Sequence, residues 1–186
     1  MGEKYTSIPE KQIQFIAKQQ VYFVGTATSD SRVNISPKGM DSFRVLSPNR
    51  VLWLNVTGSG NESAAHLQQN NRMTIMFCSF EKVPLILRLY GKARTILTSD
   101  DDWDEYYGHF EPLAGARQIF DVSVDLVHTS CGYGVPLYDF VGQRPTLNKW
   151  AEKKGEQGIK DYWQEKNSLS LDDEPIIIAG LDSEQA

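Results

Sequence analysis

Cysteine is scarce in this chain: 186 residues hold only Cys78 and Cys131. They form no CxxC pair and no His-rich cluster, which argues against a disulfide framework or a zinc site, so both thiols are expected to be free. Positive charge is in deficit, with 19 Lys and Arg against 24 Asp and Glu and a formal net charge of −5. A general nucleic-acid binder needs a basic face to meet phosphates. Small molecules or proteins are the expected partners, not nucleic acid. Long apolar runs are also missing: nothing approaches the ~20 residues of a membrane span, and the opening MGEKYTSIPEKQ has no apolar signal-peptide core. No membrane partner is expected, and the expected compartment is the cytoplasm.

What is present is a chain 40% hydrophobic and 11% aromatic, enough for one domain over residues 1–186 with a real core. An opening helix is expected over 9–19, capped by Ser7 and carrying Ile13 and Ile16 on one face. Strand-like runs rich in β-branched and aromatic residues follow at 21–27, 32–36, 51–56, 73–79, 85–95 and 119–127. The first three are too closely spaced for crossover helices, which predicts an antiparallel barrel and not a parallel α/β sheet. A short helix falls at 61–70. Another starts at Thr98 or Ser99 with acids in its first turn. The run LNKWAEKKGEQGIKDYWQEKN reads as a helix interrupted around Gly155 and Gly158, packed through Trp150, Ile159, Tyr162 and Trp163. The tail ending LDSEQA is expected to fray.

Four patches could carry chemistry. In NVTGSGNESAAHLQQNN, residues 55–71, a strand breaks into a glycine turn that opens a helix. Gly58 and Gly60 permit a tight turn, and free N–H groups at the helix start, with Asn61 and Ser63 beside them, make an anion site. An ordinary turn with an Asn N-cap has the same pattern. In RVNISPKG, residues 32–39, strand alternation puts Asn34 and Ser36 on one face, and Lys38 supplies a cation suited to a phosphate or an electron-rich ring. In LRLYGKAR, Arg88 and Arg94 share a strand face unless a bulge intervenes. In TSCGYGVPLYDF, residues 129–140, a catalytic Cys131 would need a partner base, and His128 has no evident orienting acid. A loop packing Tyr133 and Tyr138 against a ligand or a second subunit fits better. His66 and His109 read as helix-surface or packing residues. Asp100, Asp101 and Asp102 are consecutive on a helix start and cannot all face one metal ion.

Taken in order, the leading helix, VGTAT, RVNISPKG, VLWLNVTGSGNESAAHLQQNNRMTIMF and LRLYGKARTI resemble the pyridoxamine 5′-phosphate oxidase-like family over about residues 8–127. These are FMN-binding split β-barrels. The continuation through TSCGYGVPLYDF and LNKWAEKKGEQGIKDYWQEKNS, about 128–186, is similar to an uncharacterised bacterial and fungal subfamily. The fold implied is mainly β with flanking helices, an antiparallel split β-barrel of FMN-binding type. The resemblance also implies a homodimer with FMN held in clefts between subunits. Carried over by position, it assigns Asn34, Ser36 and Lys38 to flavin contact, and Asn55, Val56 and Thr57 to the strand beside the isoalloxazine. Asn61, Glu62 and Ser63 fall at the phosphate loop, and Arg88 on a later flavin-contacting strand.

Where the true oxidases have Ser-Arg-Lys at the phosphate, this chain has Asn61-Glu62-Ser63, and it lacks their Arg- and His-bearing C-terminal segment. Vitamin B6 oxidation itself is therefore not expected. The implied function is an FMN-dependent oxidoreductase acting on a small organic substrate at the dimer cleft, with Tyr133 and Tyr138 as wall residues. A non-catalytic flavin- or haem-binding protein is the alternative, since the family includes oxidases, reductases, haem-handling proteins and flavin binders.

Overall fold

A computed structural model describes residues 2–180. Its elements run β1 (Lys4–Tyr5), α1 (Glu10–Ile16), β2 (Tyr22–Thr26), β3 (Asn34–Lys38), β4 (Phe43–Ser47), β5 (Arg50–Val56), α2 (Glu62–Gln69), β6 (Arg72–Cys78), β7 (Ile86–Leu97), α3 (Trp103–Tyr107), β8 (Ala116–Ser130) and α4 (Thr146–Tyr162), followed by a π-helical turn, Trp163–Asn167. The strands form one eight-stranded sheet in the order β3-β2-β6-β7-β8-β5-β4, with β1 added beside β8. Every pairing is antiparallel. The two ends of the path, β3 and β4, are not paired with each other, so the barrel is split as the sequence predicts. None of the described helices is long and apolar enough to cross a membrane.

Alternation builds the barrel. Along β7, Leu87, Leu89, Gly91 and Ala93 are buried while Arg88, Tyr90, Lys92 and Arg94 face outward, the period of two that lets one face of a sheet close on a core. Val24, Val51, Ile75, Leu87 and Val127 fill the inside, and Trp53 packs on Phe120 with centroids 4.7 Å apart. The other face of β5 is buried too: Leu52 and Leu54 meet Ile96, Ile119 and Phe110 under the aromatics of α3. Covering both faces explains why Val51 to Asn55 are buried without alternation. At Gly91 a Cβ would lie 2.2 Å from the Ser123 carbonyl oxygen. Only glycine lets β8 approach that closely beside its bulge, where Asp125 is the extra residue. That bulge is on β8, so Arg88 and Arg94 do share a face of β7.

Several local expectations change. The residue capping α1 is Pro9, whose carbonyl accepts from Gln12 and Ile13, and not Ser7. The α-helix stops at Ile16 and only a turn continues to Gln19. β4 was missing from the sequence reading because none of its residues is fully buried; it exists by pairing back on β5 across the 47–50 turn. α3 begins at Trp103, because Asp100 closes the preceding turn by accepting from Leu97 N and Asp102 pairs with Arg94. α4 breaks at Gly155, where φ is +67°, and continues through Gly158. Beyond Asn167 the chain returns to the body and buries Ile176 and Ile178; LDSEQA lies outside the described residues.

Candidate functional site

Asn34, Ser36 and Lys38 pair across to Thr26, Val24 and Tyr22, the core-facing residues of β2. Cross-strand partners share a face, so all three turn inward. A polar chain starts there. Ser36 Oγ donates to Asn34 Oδ1 at 3.1 Å, and Asn34 Nδ2 donates to Ser63 Oγ at 3.3 Å. The Thr26 hydroxyl lies 3.3 Å from Ser63 Oγ and 3.0 Å from His66 Nδ1. His66 is only 3% exposed. It is therefore a hydrogen-bonded interior residue that fixes α2 to β2, and not the helix-surface group expected from its neighbours.

The 57–61 loop is held mostly from behind. Thr57 Oγ1 donates to Gly115 O at 2.8 Å and accepts from Trp163 Nε1 at 2.7 Å. Asn167 Nδ2 donates to Gly58 O at 3.1 Å, and Arg117 Nη2 donates to Gly60 O at 3.2 Å. Arg117 Nη1 reaches Asn167 Oδ1 at 2.6 Å, which joins the two contacts into one buried cluster. Asn61 is buried, its Oδ1 accepting from Gln118 Nε2 at 2.7 Å, and Glu62 turns its carboxylate to Leu171 N. Asn55 is buried opposite Gln118, with Val56 half-buried beside it. The C-terminal segment thus supports the loop from which the sequence predicts anion binding.

Positive charge reaches this region from two strands. Arg117 is 1% exposed, and among the described residues no carboxylate forms an ion pair with it. Its Nε has no hydrogen-bond partner, and neither do Asn61 Nδ2 and Gln118 Oε1 close by. Burial pushes the Arg117 guanidinium down to about 9, with Tyr162 acting in the opposite sense. Lys38 Nζ sits 5.1 Å from the centroid of the Trp53 ring, a favourable cation–π placement. Burial, and then the charge of Arg117, push Lys38 down to about 8. Two interior cations therefore repel each other with no acid between them.

Lys38, Gly58 and Ser59 line a cavity of about 1000 Å³, whose other walls include Tyr138, Phe140, Trp150 and Tyr162. Its size suits a cofactor together with a small ligand. Tyr138 packs on Phe80 at 5.4 Å, whereas Tyr133 is 82% exposed and does not line the cavity. Arg88 is also apart. It aligns through Met76 and Phe23 with Pro37, which places it on the sheet face opposite Lys38, bonded to Ser130 Oγ at 3.0 Å. There it lines an outer groove of about 570 Å³ with Val33 and Ile35. The structure brings Asn34, Ser36, Lys38 and Ser63 together, and separates Arg88 and Tyr133 from them within one chain.

A profile of the family described as pyridoxamine 5′-phosphate oxidase matches residues 8–131. The pyridoxamine 5′-phosphate oxidase family protein ustO of Aspergillus flavus is 36% identical over 195 residues, spanning 95% of this chain and 78% of its own. The chain belongs to the pyridoxamine 5′-phosphate oxidase family. Solved structures share its fold. A HupZ variant from Group A Streptococcus aligns at a TM-score of 0.53 and 16% identity, covering 66% of this chain and 99% of its own. A Lactobacillus delbrueckii protein described as a candidate pyridoxamine 5′-phosphate oxidase aligns at 0.54 and 16%, covering 66% and 94%.

Within this family frame, two residues of the site escaped the sequence reading. Arg117 fell in the connection before the expected strand at 119, although a lone cation in ARQIF between apolar neighbours is a signal of a buried charge. Asn167, wholly buried, carried no signal: only the return of the chain past α4 brings it to Gly58.

Proposed function

We propose that this chain is an FMN-binding flavoprotein and an FMN-dependent oxidoreductase that acts on a small organic substrate in the large cavity. The observation that carries the reading is the meeting of Lys38, the Gly58–Ser59 turn and the aromatic wall Trp150–Tyr162 at one cavity in a member of this family. The residues fit the group: an inward cation and a backbone turn suit an anionic tail, and aromatic and apolar walls suit a planar ring.

A bound flavin would supply hydride transfer at N5. The chain's part is to orient and shield. Asn34, Ser36 and Ser63 form a fixed run of donors and acceptors on the inner wall, Asn55, Val56 and Thr57 hold the strand beside it, and Asn61 and Glu62 fix the loop. Tyr138 and Phe140 narrow the entrance. No acid–base residue is required of the chain for hydride transfer. A homodimer belongs to the proposal, because Val33 and Ile35 are exposed beside Arg88 on the outer face, where a second subunit would cover them and could bring Arg88 to the partner's flavin. Because Glu62 and Ser63 stand where the true oxidases carry cations, vitamin B6 oxidation is not the activity we propose.

The test is an absorbance spectrum of the purified protein and FMN titration by fluorescence quenching, then reduction by a nicotinamide cofactor and reoxidation by candidate substrates. Stoichiometric quenching with substrate-dependent reoxidation is expected. Quenching without turnover would leave a flavin carrier, and a Soret band would replace flavin by haem. Lys38→Ala is expected to weaken FMN binding by about 1–3 kcal/mol, the range for a charge-assisted contact. Unchanged affinity would remove Lys38 from the site.

A further inference from the structure

We propose that Arg117 and Lys38 together form the anion-binding end of the large cavity and hold a doubly charged phosphate monoester, which, resting on the flavin reading above, is the cofactor's own phosphate. The assignment starts from a buried cation that the fold does not neutralise. A guanidinium offers five N–H donors, and Arg117 meets two protein acceptors, the Asn167 side-chain oxygen and the Gly60 carbonyl, both neutral. Its Nε is left without a partner in an interior where an unpaired donor and an unpaired charge are both costly. Such a group persists when a ligand supplies the missing charge.

Position says which ligand surface that is. Lys38, whose charge state responds to Arg117, and Tyr162, whose charge acts on Arg117, both line the large cavity. Arg117 itself backs the turn at Gly60, beside the Gly58 and Ser59 that line it. Acids do not compete there. Glu62 is directed to Leu171 N, and the cavity's own acids, Glu81 and Asp139, neighbour the Phe80–Tyr138 contact. A planar guanidinium with free N–H groups matches two oxygens of a phosphate, and an ammonium adds a point charge. The Asn167 contact presets the guanidinium plane, so ligand binding need not order it.

The experiment compares FMN, riboflavin and inorganic phosphate on the wild type, Arg117→Gln and Lys38→Gln. The expected result is that FMN binds the wild type at least about tenfold more tightly than riboflavin, and that either substitution cuts this ratio about tenfold with riboflavin affinity little changed. Inorganic phosphate should raise the thermal midpoint of the wild type and not of the variants. A ratio that survives both substitutions overturns the proposal, as does equal loss of FMN and riboflavin in Arg117→Gln, which would make Arg117 a structural strut. If Arg117→Gln fails to fold, the ratio in Lys38→Gln decides alone. Phosphate stabilisation that needs Arg117, with no flavin bound by the wild type, would sink the flavin reading and keep the anion site. Neither flavin nor phosphate binding to the wild type would sink both.

Discussion

Trp163→Ala is expected to lower stability by about 3–5 kcal/mol, among the largest losses a single substitution in this chain can produce. Trp163 is buried against the barrel core, and truncation removes most of that contact area and leaves a cavity the π-helical turn cannot easily fill. It also removes the Nε1 donor to Thr57 Oγ1. Trp163→Phe separates the two contributions: it keeps most of the volume and should cost about 1 kcal/mol beyond minor repacking, the usual net value of one hydrogen bond. Urea denaturation at constant m-value is the measurement. Because Asn167 follows one turn later and holds Gly58 and Arg117, amide exchange in 57–61 should quicken in Trp163→Ala. A loss below about 1 kcal/mol with unchanged exchange, far short of a core truncation, would show that the C-terminal segment does not support the loop.

The ligand-free protein should gain stability as pH rises from about 8 toward the ordinary lysine range. Lys38 is pushed down to about 8 in the fold from its usual 10.5, so between these values the unfolded chain binds more protons than the folded one. Stability then increases with pH. Below pH 8 both states are charged and the fold carries the whole cost of holding the ammonium inside, about 1–3 kcal/mol for a half-buried group. Arg117, pushed down to about 9 by burial, acts in the same sense at higher pH. Tyr22 opposes them: burial raises its phenol, so the unfolded chain loses that proton first and stability falls above about pH 10. The urea midpoint should therefore rise between pH 7.5 and about 9.5, and Lys38→Met should flatten the rise. A midpoint that falls over that range in the wild type, or an equal rise in Lys38→Met, would contradict a buried, uncompensated Lys38. A bound dianion should reverse the slope, since it favours the charged lysine.

Much of the barrel was legible along the chain because its strands are bounded by turn residues and alternate. The runs near 21–27, 73–79 and 85–95 appear within two residues of their places as β2, β6 and β7. β4 was not legible, since FRVLS has no buried side to announce and is a strand only by pairing with β5. Within the site, Asn34, Ser36 and Lys38 could be put on one face from alternation alone. That Ser63 would join them could not, because the contact crosses from α2 to β3. Arg88 shows the converse limit: its strand was located, but facing is set by register through β6 and β2, and register turns it away from Lys38.

By itself the sequence determined a mainly β architecture, the glycine turn before α2 and the inward polar face of β3, because these depend on periodicity and on residues a few positions apart. Tertiary structure alone decided that Arg117 would be an interior cation without an acid, that His66 would be bonded inside, and that Trp163 and Asn167 would brace the 57–61 loop. Burial and charge balance are properties of what the whole chain brings together. Arg117 and Asn167 meet across 50 positions, a distance at which local sequence carries no record of the contact.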